Sequence, residues 1–94
     1  MSTFKVLKGP AAAHIYDENN NSQLCIDWSY NSLYYRYKNN NWITISVDDK
    51  LVIADIINEN EIENFKQLFL YAFNNLKNYS IKSDEILNKI QKII

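Results

Sequence analysis

The chain has 94 residues, 47% of them apolar and 22% charged, with a formal net charge of -1 and a pI near 5.7. Such a length and composition belong to one ordinary folded domain with a modest core, and the single glycine and single proline argue against a linker or a disordered chain. The near-neutral balance offers no basic excess for nucleic acid or an anionic membrane, and no acidic excess for a DNA mimic.

Cys25 is the only cysteine, so no intramolecular disulfide can form and a reducing compartment is the simpler expectation. The opening MSTFKVLKGP has neither an apolar signal core nor a cleavage site, and no run reaches the roughly 18 apolar residues of a membrane span. A cytoplasmic protein is expected. Heavy use of Asn, Ile and Lys suggests an AT-rich genome, of the phage or bacterial kind.

Residues 3–8, TFKVLK, alternate as a first strand that Gly9-Pro10 ends. Proline fits poorly in the second corner of a two-residue turn, which favours a crossing to another edge over a hairpin. Residues 11–17 give a second strand, and a loop at residues 18–21 leads to SQLCIDW. Pairing Ile15 with Leu24 and Ala13 with Ile26 keeps the apolar residues on one face.

The stretch from residue 22 to 47 is the aromatic centre of the chain and reads as three antiparallel strands. A two-residue loop at Tyr30 and Asn31 pairs Trp28 with Leu33, Ile26 with Tyr35 and Leu24 with Tyr37. A three-residue loop at Asn39, Asn40 and Asn41 pairs Tyr37 with Ile43, Tyr35 with Ile45 and Leu33 with Val47. Asn tolerates the left-handed conformation that such a loop needs, so an Asn run can replace glycine there. Both registers put apolar residues on one face, and a one-residue slip would reverse that.

Residues 48–57, DDKLVIADII, suit a short helix or a buried strand, and a short helix capped by Asp48 or Asp49 is expected. Asn60 as N-cap and Glu63 at the capping-box position open a longer helix. Its apolar stripe is Ile62, Phe65, Phe69, Ala72, Phe73, Leu76 and Tyr79, and Lys77 suits the helix C-terminus. Residues 80–82 form a short connection. Ser83 is then expected to cap a last helix with Ile86, Leu87, Ile90, Ile93 and Ile94 on one stripe, completing an αα-hairpin.

The fold class is therefore α+β in one domain, residues 1–94. A small antiparallel β-meander of four to five strands fills residues 1–47, and two to three helices in residues 48–94 pack on one sheet face. The opposite face carries two rows. The first is His14, Cys25, Arg36 and Thr44, and the second is Tyr16, Gln23, Lys38 and Trp42.

Cys25 beside His14 suggests a thiolate nucleophile, but no glycine-bearing turn or helix N-terminus is there to supply oxyanion donors. One His and one Cys fall short of a metal site. Helix capping and turn roles already account for the acidic pairs Glu61 with Glu63 and Asp48 with Asp49. No catalytic residue, metal site or cofactor is expected.

Tyr16, Tyr34, Arg36, Lys38 and Trp42 carry the stronger signal, because Tyr, Trp and Arg are enriched in interface hot spots. Lys38 over Trp42 is expected as a cation–π pair. The reading is a non-enzymatic binding module that uses this aromatic face, such as a small phage or bacterial inhibitor of a partner protein. Its partner is another protein or a second copy of the chain, not a membrane or nucleic acid. The alternative is a homo-oligomer that holds a nucleotide-like small molecule with Arg36, Lys38 and Trp42, and a small Cys/His enzyme comes third.

Overall fold

The computed structural model describes residues 3–48 and 52–94. Five antiparallel strands, β1 (Lys5–Lys8), β2 (Ala12–Tyr16), β3 (Ser22–Asp27), β4 (Ser32–Tyr35) and β5 (Ile43–Ser46), form one sheet in sequential order. Two 3-10 turns follow, Ile53–Asp55 and Glu59–Glu61, and then helices α1 (Ile62–Leu76) and α2 (Ile81–Ile93). The architecture is α+β. Among the described residues no helix is long and apolar enough to cross a membrane.

Contrary to the expected crossing, β1 and β2 form a hairpin. The Gly9 N–H donates to the Ala12 carbonyl at 2.9 Å, so Pro10 sits inside a four-residue turn rather than at the second corner of a tight one. Side chains from elsewhere hold the turn: Trp28 Nε1 donates to the Pro10 carbonyl at 2.9 Å, and the Tyr79 hydroxyl to that of Gly9 at 3.1 Å.

The β2–β3 pairing is as expected, with Ile15 against Leu24, Ala13 against Ile26 and His14 against Cys25. A bulge after Ile15 then puts Tyr16 opposite Ser22 instead of Gln23. Released from the ladder row, Gln23 is buried.

Both later hairpins differ from expectation by two residues. Leu24 pairs with Tyr35 and Ile26 with Leu33, while Leu33 pairs with Ile45 and Tyr35 with Ile43. The cause is turn chemistry. Asp27 Oδ1 accepts from the Ser29 and Tyr30 N–H groups and the Ser29 hydroxyl, which takes Trp28 to Asn31 out of the ladder as a four-residue loop. At the β4–β5 loop the left-handed residue is Lys38, φ 53°, not one of the three asparagines. Its N–H donates to Gln23 Oε1 at 3.0 Å, which anchors the turn earlier than the Asn run would. A slip of two leaves every side chain on its expected face.

One buried cluster includes Ala13, Ile15, Leu24, Ile26, Leu33, Tyr35 and Ile45 of the strands. It also contains Phe65, Leu68, Phe69, Ala72 and Leu76 of α1 and Ile86, Leu87, Ile90 and Ile93 of α2. Leu68, absent from the expected stripe, is fully buried. Phe65 meets Tyr35 edge to face at 5.4 Å, and Phe4 meets Tyr71 likewise at 5.5 Å.

Two capping expectations fail. Asn60 lies inside the second 3-10 turn, and the N-terminus of α1 at Glu61 has no side-chain cap. The cap of α2 is Ser80, whose hydroxyl accepts from the Ser83 N–H, while Ser83 returns the bond to the Ser80 N–H as the other half of a capping box. Asp48 caps no helix; it accepts from Lys89 at 3.0 Å and Asn31 at 2.8 Å. Asp49 lies outside the described residues, and among the described residues of 48–57 a 3-10 turn at Ile53–Asp55 stands where a short helix was expected.

Candidate functional site

Because the strands pair in order, one row of side chains crosses the whole sheet on the face opposite Ala13, Ile26, Leu33 and Ile45, with Cys25 at its centre buried. It runs Leu7, His14, Cys25, Tyr34 and Thr44. Tyr34 holds the place expected for Arg36, a direct result of the two-residue slip. Leu7, left unplaced by the sequence, joins the row with 61% of its surface exposed.

Beside this row stand Tyr16, Arg36 and Trp42. The Arg36 guanidinium lies over the Trp42 indole, 4.4 Å from Cζ to the ring centroid, and its Nε donates to the Ser22 carbonyl at 2.8 Å. Arg36 therefore takes the cation–π role expected of Lys38. Lys38 is elsewhere: its ammonium sits 5.2 Å from the Tyr37 ring, at the end of the sheet where two loops meet. The structure thus brings Tyr16, Tyr34, Arg36 and Trp42 to one face and separates Lys38 from them.

His14, Cys25, Asp27, Tyr34 and Trp42 line an open depression of about 490 Å³ on that face. His14 is fixed at both ring nitrogens, with Nδ1 3.2 Å from the Ser22 hydroxyl and Nε2 3.7 Å from Cys25 Sγ. Burial, and then the Asp27 carboxylate, push the Cys25 thiol up to about 11. That shift is the opposite of the depressed value a nucleophilic cysteine needs. Among the described residues no three His, Cys, Asp or Glu side chains come together as a metal site.

Asp48, Glu61 and Glu63 do not line this depression. Asp48 is held by Lys89, which keeps its carboxyl below the usual carboxylate range, and Glu61 and Glu63 lie at the start of α1. Comparison with protein families, with curated proteins and with solved structures finds no match to this chain.

Proposed function

We propose that the protein is a non-catalytic binding module whose partner is another protein, met through the sheet face that carries Tyr16, Tyr34, Arg36 and Trp42. In this reading α1 and α2 pack on the other face of the sheet, which leaves the aromatic face open. The observation that supports it most is the row from Leu7 to Thr44 with Arg36 stacked on Trp42 beside it. It offers apolar area, aromatic rims and one cation in a single patch. The complementary partner surface is apolar at its centre, to fill the depression between Tyr34 and Trp42, and acidic where it meets Arg36. A chain of this size that acts by covering a partner's surface, as an inhibitor does, requires nothing more than such a face.

The raised thiol of Cys25 supports a binding role over a nucleophilic one. The nucleotide-holding alternative loses support because it needs Arg36, Lys38 and Trp42 together, and Lys38 belongs to another part of the surface.

The test is the double variant Tyr34→Ala, Trp42→Ala, followed by thermal melting and by light scattering with and without a captured partner. Loss of a central aromatic costs about 2 kcal/mol or more of binding, near thirtyfold in affinity. Retained folding with lost association is the expected result. Unchanged association overturns the assignment, and loss of self-association alone identifies a second copy as the occupant.

A further inference from the structure

At the end of the sheet, the β2–β3 loop, the β4–β5 loop and α1 enclose a crevice of about 430 Å³, within the usual range for small-molecule sites. Its walls are built from inside. Gln23 is buried and joins the two loops: its Nε2 donates to Asp17 Oδ2 at 3.0 Å and to the Lys38 carbonyl at 3.4 Å, while its Oε1 accepts from the Lys38 N–H. The other Asp17 oxygen accepts from the N–H groups of Asn19 and Asn21, both at 2.9 Å. The backbone of both loops is thereby set without help from the asparagine side chains.

Those side chains are then left to explain. Asn19, Asn21 and Asn39 line the crevice, and among the described residues none of their carboxamides makes a hydrogen bond within the protein. Backbone geometry does not require them either, because the left-handed positions of these loops are Asn20 and Lys38. Asn64 of α1 adds a fourth carboxamide, with one Nδ2 proton given to the Tyr35 hydroxyl and, among the described residues, no partner for its Oδ1. Phe4 and Tyr37 supply an apolar wall, with the buried Leu68 behind them.

We propose that this crevice binds a neutral saccharide. A carboxamide both donates and accepts, as each sugar hydroxyl does, so several carboxamides around one space match a ring of hydroxyls. The apolar wall suits the C–H face of a pyranose. The lining disfavours an anion, because Asp17 and Glu18 face the single cation Lys38, and both Asp17 oxygens are already occupied by its three hydrogen bonds within the protein. This site is distinct from the aromatic sheet face, and the two assignments stand or fall separately.

The test is a titration of the ¹⁵N-labelled protein with glucose, galactose, mannose, N-acetylglucosamine, maltose, lactose and chitobiose, with glucose 6-phosphate and glucosamine as charged controls. Saturable shifts are expected in the amides of residues 17–21 and 36–41 and in the side-chain amides of Asn19, Asn21 and Asn39. Asn64→Ala and the exposed Asn39→Ala should each weaken binding about tenfold, as loss of ligand hydrogen bonds does. The Tyr34→Ala, Trp42→Ala protein should bind as wild type. Absence of saturable shifts with every neutral sugar, shifts centred elsewhere, tighter binding of a charged control, or full binding by both folded Asn variants each overturns the proposal.

Discussion

The Asn64 carboxamide donates to the hydroxyl of Tyr35 at 3.0 Å, tying the first turn of α1 to the end of β4. The Tyr35 ring is fully buried, and burial raises its phenol above the ordinary value, against the opposing pull of the Asn64 hydrogen bond, which favours the phenolate. Tyr35→Phe keeps the ring and its edge contact with Phe65 but strands the Asn64 N–H. The expected cost is about 1 kcal/mol, or a fall of roughly 4–8 °C in Tm for a domain of this size. An unchanged melting curve would show that the bond contributes nothing net.

Phe65→Ala should be far more damaging. Phe65 is fully buried between Tyr35 and the rest of the cluster, whereas Phe69 retains 6% exposure and has its ring partner, Phe73, on its own helix. Loss of either ring opens a cavity costing about 3–5 kcal/mol, with Phe65 at the upper end. Chemical denaturation of the two variants checks the order, and a larger loss at Phe69 would reverse the assignment of which ring joins helix to strand.

The thiol of Cys25 makes a pH-dependent prediction whose sign is fixed. The folded state holds the proton up to about pH 11, and the unfolded chain releases it near 9.0. Between those values the folded state binds more protons, so stability falls as pH rises through this window and is independent of Cys25 below it. Comparison with Cys25→Ala isolates the effect from that of every other group. Alkylation by iodoacetamide should be slow at neutral pH and accelerate toward pH 11. Rapid labelling of the folded protein at pH 7 would contradict the geometry described for Cys25.

Ser80 is the cap of α2 and shares reciprocal bonds with Ser83. Ser80→Ala should cost about 1 kcal/mol through the lost acceptor for the Ser83 N–H. Ser83 is itself fully buried, so Ser83→Ala tests a different quantity, the return bond to the Ser80 N–H. If only the Ser83 variant were destabilised in thermal melts, the helix would start where its sequence first suggested.

Faces were legible in the sequence, as was the β2–β3 register up to its bulge, but the two later registers were not, for a single reason. Side-chain alternation has period two, so a slip of two residues leaves Tyr35 buried and Tyr34 outward while changing every cross-strand partner. What fixed the partners was side-chain chemistry in the turns. Asp27 drew three donors around itself, and Lys38 took the left-handed position that an asparagine would ordinarily fill. Ser83 was read as the cap in place of Ser80 because a capping box uses both serines. The crevice was illegible in a stronger sense: the bulge after Ile15 and the meeting of two loops with Asn64 are three-dimensional events. The two asparagine runs were nonetheless its visible trace.

Gln23 is the residue whose neighbourhood departs furthest from simple alternation, and it yields the sharpest electrostatic prediction. Gln23→Glu preserves shape but sets a second carboxylate against Asp17 Oδ2, in place of a donor now 3.0 Å away, and in a buried position. Two carboxylates so close cannot both ionise without a large cost, so the acid of one is raised above its ordinary range. In the unfolded chain Glu ionises near about 4.3, whereas the folded variant keeps the proton to higher pH. The variant should therefore be close to wild type in acid and lose stability as pH rises from about 4.3 through the raised value, after which the deficit stays constant. Gln23→Ala, by contrast, leaves the Lys38 N–H unpaired at every pH and should cost about 1–3 kcal/mol with no such slope. Urea midpoints across pH 4 to 8 separate the two. A flat profile for Gln23→Glu would mean that Asp17 does not face residue 23, and the inner wall joining the two loops would have to be redrawn.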